Sequence, residues 1–166
     1  MSQSRVVRFL EWLLIIGMAL LTLDVLWGVF SRFALGAQSR WTEELAIFLL
    51  VWISLLGAGL VYGERGHLGV DYFVNKLEPA AARLAALCVE GLVLFFACYA
   101  LIGGGWTLVT TTLADGSLSP ALSWKLGYVY LAVPLAGVLF ALFAIQHTIS
   151  LFKDSPSVRE GTRDGR

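Results

Sequence analysis

The sequence predicts an all-α membrane protein: four transmembrane helices, a short interfacial amphipathic helix between spans two and three, and both termini cytoplasmic. Three observations predict it. First, the 166 residues are 58% hydrophobic and only 14% charged, against about 25% charged residues in an ordinary soluble domain, and mean hydropathy is +0.77. Second, the chain holds four apolar runs, each long enough to cross about 30 Å of hydrocarbon at a helical rise of about 1.5 Å per residue. Third, Lys and Arg are unevenly shared among the connections. The leader (Arg5, Arg8), the middle connection (Arg65, Lys76, Arg83) and the tail (Lys153, Arg159, Arg163, Arg166) hold nine, and the other two connections hold three, Arg32, Arg40 and Lys125. The positive-inside rule then places both ends in the cytoplasm. Residues 1–152 are expected to form one membrane domain and 153–166 a mobile tail.

Composition also excludes classes. Lys+Arg and Asp+Glu are 12 each, so there is no bulk positive field of the kind nucleic-acid binding requires. The loops are too short for a separate soluble domain. Cys88 and Cys98 are ten residues apart on one predicted helix, about 15 Å, too far to bond to each other.

The first span is predicted over residues 9–31, after a basic leader. That leader resembles the start of a signal peptide, but no small-residue cleavage site follows and the apolar run continues to Phe30, so it is expected to be retained. This span alone has a charge in its body, Asp24. A carboxylate in hydrocarbon is costly and usually has a partner or a task. It belongs either to a proton or cation path or to a packing contact with a neighbouring helix or subunit, and the shortage of other polar groups favours packing.

The second span, residues 42–62, is expected to organise the rest. Thr42 can cap it, and Glu43 and Glu44 sit in its first turn, where negative charge meets the positive end of the helix dipole. Trp41 stands at the expected water–lipid boundary. Ser54-x-x-x-Ala58 and Gly59-x-x-x-Gly63 are small-residue spacings that allow close helix approach. Between Glu64 and Arg83, His67, Asp71, Asn75 and Glu78 fall on one helical face and Val70, Phe73, Val74 and Leu77 largely on another, the pattern of an interfacial helix. His67 and Asp71 have an i, i+4 spacing, but two ligands do not make a metal site; a capped loop–helix junction or a polar docking contact is the better reading.

The third span, residues 85–111, carries Glu90 near its start, in reach of Arg83 or Arg65, and Gly103-Gly104-Gly105, which predicts a tight crossing or a kink. The loop from Thr112 to Ser123 has turn chemistry at Asp115-Gly116 and Ser119-Pro120. The fourth span, residues 124–151, contains Pro134, which removes a backbone hydrogen bond and is expected to bend it. There is no P-loop, GxSxG or HExxH motif, and no cofactor or enzymatic activity is expected.

In order and spacing, Arg32-Phe33, Trp41-x-Glu43-Glu44, Trp52, Gly57-Ala58, Gly66-His67-x-x-Val70-Asp71, the Ser119-Pro120-Ala121-Leu122 loop, Tyr128 and Pro134 resemble the small membrane subunit (Q-type, DctQ-like) of tripartite ATP-independent periplasmic (TRAP) transporters. The resemblance covers nearly the whole chain. It implies a bacterial inner-membrane subunit that joins a large multi-spanning permease. The pair would receive an organic acid from a periplasmic binding protein and import it on a cation gradient, usually sodium, without ATP hydrolysis. The large subunit would hold substrate and move; this one would scaffold it. Asp24, Arg32, Trp41, Glu43, Glu44, Trp52, Gly57, His67, Asp71 and Glu90 are the expected structural or subunit-interface residues. The rival reading is a haem- or quinone-associated anchor subunit of an oxidoreductase, in which His67 and His147 would ligate haem.

Overall fold

The structure is a computed structural model, which describes residues 5–36, 39–64 and 79–153. It is all-helical in these segments. Helix α1 spans Arg5–Ala34 and α2 Arg40–Gly63. The third long rod comprises α3 (Pro79–Phe96), a π-helical stretch (Ala97–Gly104) and α4 (Gly105–Ala114). The last comprises α5 (Leu126–Tyr130) and α6 (Ala132–Lys153). Four stretches, Arg5–Ala34, Arg40–Gly63, Leu84–Ala114 and Leu126–Leu151, are long and apolar enough to span a membrane. The predicted interfacial helix, with His67 and Asp71, lies outside the described residues, as does the tail beyond Lys153.

The rods are longer than their hydropathy alone implies, because helix continues past the apolar core into the polar boundary. The start of α1 reaches back to Arg5, and α3 opens on Pro79, a residue suited to a first helical position since its missing N–H would go unused there.

The helices pack in a row rather than around one hub. Among the described elements α1 packs on α2, α2 on α6, and α6 on α3 and the π stretch. The expectation that the second span organises the rest is therefore corrected: α2 and α6 share the middle. Their crossing uses the predicted glycines. A Cβ on Gly59 would lie 3.3 Å from Leu139 Cβ, and one on Gly63 only 2.6 Å from the Phe143 ring. Tyr62, Phe143 and Ala144 form the buried core beneath, with Val93, Leu94, Leu139 and Phe140 against it. Ala58, by contrast, is exposed, so the Ser54/Ala58 spacing is unused within this chain.

The glycine triplet lies at a tight crossing and at the end of a π-helical stretch. Gly105 meets the last rod, where a Cβ would come within 2.9 Å of Val133 Cγ1, and the helix before it widens to π geometry over Ala97–Gly104. Pro134 acts one turn upstream of itself. It has no N–H to give Tyr130, and α5 ends at Tyr130; helix resumes at Ala132, with Leu135 N donating to the Leu131 carbonyl at 3.2 Å.

Candidate functional site

Three polar constellations interrupt this apolar row. The first joins α2 to the 115–125 loop. The helix begins at Arg40, two residues before the expected cap, so Thr42 falls inside the first turn. Ser39 takes the N-cap position, and Thr42 Oγ1 donates to the Ser39 carbonyl at 2.7 Å. The Thr42 cap is therefore not formed. Glu43 alone lies in the first turn, while Glu44, further along, reaches across the fold. Its carboxylate accepts from Ser119 Oγ and from the backbone N–H groups of Ala121 (2.9 Å) and Leu122 (3.0 Å). Ser119 also donates its N–H to the Trp124 carbonyl at 2.8 Å and receives the Ser123 N–H at 2.9 Å, which closes the loop on itself. The acid-pair motif and the Ser-Pro-Ala-Leu motif, 75 residues apart, are thus two halves of one contact.

The second constellation lies at the opposite end of α2. Glu90, buried on α3, accepts the Tyr62 hydroxyl proton on one oxygen and lies 3.3 Å from His147 Nδ1 with the other. His147, buried on α6, places Nε2 3.4 Å from the Gly63 carbonyl, so both ring nitrogens face acceptors. The Tyr62 ring sits 5.3 Å from the imidazole and 5.2 Å from the Phe140 ring. Three spans are tied here by one polar cluster. Among the described residues the Glu90 carboxylate meets Tyr62 and His147; the side chains of Arg83 and Arg65, its expected neighbours, lie outside the described residues. His147, a haem ligand in the rival reading, is buried in this cluster, with Nε2 toward the Gly63 carbonyl and Nδ1 toward Glu90. Sequence reading missed Tyr62 and this role of His147, and it singled out Ser119 without pairing it with Glu44. The available signal was a polar residue at a buried helical position, which marks that a partner exists without naming it.

The third constellation is Asp24. Its side chain is buried at the α1–α2 contact, 7% exposed, and neither carboxylate oxygen has a hydrogen-bond partner among the described residues. It lines a cleft of about 190 Å³ with Val25, Gly28, Val29, Arg32, Thr42, Glu43 and Ala46. The fold thereby brings together four positions singled out in the sequence (Asp24, Arg32, Thr42 and Glu43). Trp41 stays partly exposed at the start of α2, Trp52 lines a separate apolar cleft of about 250 Å³ with Leu13, Gly17 and Ile53, and Gly57 faces Leu14 without close contact. No group of three or more metal-ligating side chains occurs among the described residues.

Residues 21–154 match the family described as tripartite ATP-independent periplasmic transporters, DctQ component. The chain is 30% identical, over 86% of its length and 87% of the relative's, to a Haemophilus influenzae protein named as a TRAP transporter small permease. It is 33% identical to the C4-dicarboxylate TRAP transporter small permease protein of Rhodobacter capsulatus, over 67% of this chain and 48% of that one. A third relative, the isethionate TRAP transporter permease protein DctMQ of Oleidesulfovibrio alaskensis, is 27% identical over 67% of this chain, a stretch that takes up only 17% of the relative.

Proposed function

We propose that this chain, which belongs to the DctQ-component family of TRAP transporters, scaffolds a large permease subunit for uptake of an organic acid. As a TRAP small permease it is part of a transporter and not an enzyme. The observation that carries the proposal is the family match across residues 21–154, which takes in the second half of α1, from Leu21, and all the later helices. A tripartite system implies a large permease partner, and the much longer DctMQ relative supports an intimate pairing of the two. In this reading the large subunit binds the acid and the coupling cation, expected to be sodium, and a periplasmic binding protein delivers the substrate.

The chemistry of the row suits a static role. Its satisfied polar clusters fasten helix to helix and loop to helix, and a scaffold needs such fixed joints. The Lys/Arg distribution supports cytoplasmic termini in the inner membrane, with the Glu44-clamped loop on the periplasmic side. Residues 1–152 then form the membrane domain, residues 153–166 a cytoplasmic tail, and the 67–78 segment an interfacial helix. Trp41, Glu43 and Glu44 fix the outer end of α2, and His67 and Asp71 its inner connection. Names among the relatives carry different substrates, C4-dicarboxylate and isethionate, so the proposal stops at the class of small organic acids.

Reconstitution tests it. Proteoliposomes holding both permease subunits, given the binding protein and an inward sodium gradient, are expected to accumulate the acid that the binding protein retains on purification. Vesicles with this chain alone are expected to accumulate none. Transport by this chain alone, or haem absorbance in the purified complex lost on His147→Ala, would overturn the reading.

A further inference from the structure

A carboxylate with no hydrogen-bond donor is the least stable way to place an acid inside a membrane, because desolvation is opposed by nothing. Asp24 stands in that position: 7% exposed, with both oxygens unpartnered among the described residues. The nearest cation lining its cleft is Arg32, eight residues and about 12 Å further along the same helix. Gly28, between them, keeps the cleft wall low; a Cβ there would already be 3.3 Å from Thr42 Oγ1. Val25 and Val29 form the outer wall and are 49% and 51% exposed. The cleft is thus a side-opening socket with apolar lips and an acid at its base.

From this arrangement we infer that the Asp24 cleft receives a basic side chain, Arg or Lys, from a transmembrane helix of the large permease subunit. The inference rests on the small-permease reading above and deepens it by naming a contact point. Charge complementarity selects the occupant. Asp24 is a buried carboxylate whose two oxygens meet no donor among the described residues, and the guanidinium of Arg32 belongs to a residue about two turns further along the helix. The valine lips fit a helix, which would cover them while delivering the donor; a lipid amine would have to leave the headgroup layer to reach the same depth.

The test uses the complex from membranes co-expressing both subunits. With Cys88 and Cys98 replaced by Ser, a benzophenone maleimide on Val25→Cys or Val29→Cys is expected to cross-link to a large-subunit peptide containing Arg or Lys. Asp24→Asn is expected to lower recovery of the large subunit roughly three- to tenfold, the range of interhelical polar contacts in membranes, while Asp24→Glu keeps most of it. The Asn variant should still purify as a monodisperse chain, which separates lost docking from lost folding. Cross-links to phosphatidylethanolamine alone, to a peptide without Arg or Lys, or unaltered recovery with Asp24→Asn would overturn the inference while leaving the small-permease reading intact. Failure of the wild-type chain to recover any large subunit would overturn both.

Discussion

The α2–α3–α6 side of the molecule and the α1 edge treat buried polarity in opposite ways. On the first side every acid singled out by the fold has its donors. Glu90 holds Tyr62 and His147, and Glu44 holds one hydroxyl and two backbone amides. On the α1 edge Asp24 has none among the described residues. Apolar burial is greatest along Leu126–Leu151, 39% of whose most apolar stretch is buried inside the chain, and least along Arg5–Ala34, at 6%. The contrast is between acids whose partners lie within the chain and an acid that meets no donor among the described residues.

Perturbations should separate the two sides, and the largest effect is expected at the buried cluster. Glu90→Ala strands Tyr62 and His147 without their shared acceptor, at a cost of about 2–4 kcal/mol. Unfolding of the purified chain in detergent, titrated with SDS and followed by Trp fluorescence, reads this directly. Little change there would mean the cluster is not what binds α2, α3 and α6. Next comes Gly137→Val: a Cβ at Gly137 would fall 2.7 Å from Leu101 Cβ and 3.1 Å from the Ile102 backbone nitrogen. Overpacking of this kind costs about 1–3 kcal/mol, measured by the same titration, and Gly28→Ala, with only the Thr42 hydroxyl at 3.3 Å, should cost less. Glu44→Gln acts more locally. An amide cannot accept with both terminal atoms, so the Ala121 and Leu122 amides should exchange hydrogen faster while global unfolding barely moves; unchanged exchange would show that the loop closes without the clamp. The smallest effect on the isolated chain is expected for Asp24→Asn, with stability at or above wild type, because a desolvated charge is removed and no bond is lost. A marked loss would reveal a partner for Asp24 within the chain and erase the contrast between the sides.

Local features were well legible in the sequence. The four spans, the Gly59/Gly63 crossing, the disturbance at Gly103–Gly105 and the break before Pro134 each follow from residues close together in the chain. Pairings over distance were not. Hydropathy marks Glu90 as a costly residue but does not reveal that Tyr62 and His147, on two other helices, converge on it. The order of helices in the row was equally hidden, since α2 and α6 meet through glycines that resemble those of any apolar helix. Thr42 shows a subtler limit: with the helix starting at Arg40, a good capping residue becomes an ordinary first-turn residue. The Glu44 clamp lay between these cases, because both motifs carry turn or helix-start chemistry although nothing in either one names the other.

As a TRAP small permease, this chain is proposed to be one part of a two-part membrane permease. The most direct test is a tagged purification from native membranes in mild detergent, with mass spectrometry and a visible spectrum of the eluate. A colourless complex with one large multi-spanning protein at near one-to-one stoichiometry is expected. A haem band, or a soluble oxidoreductase in place of the permease, would contradict it.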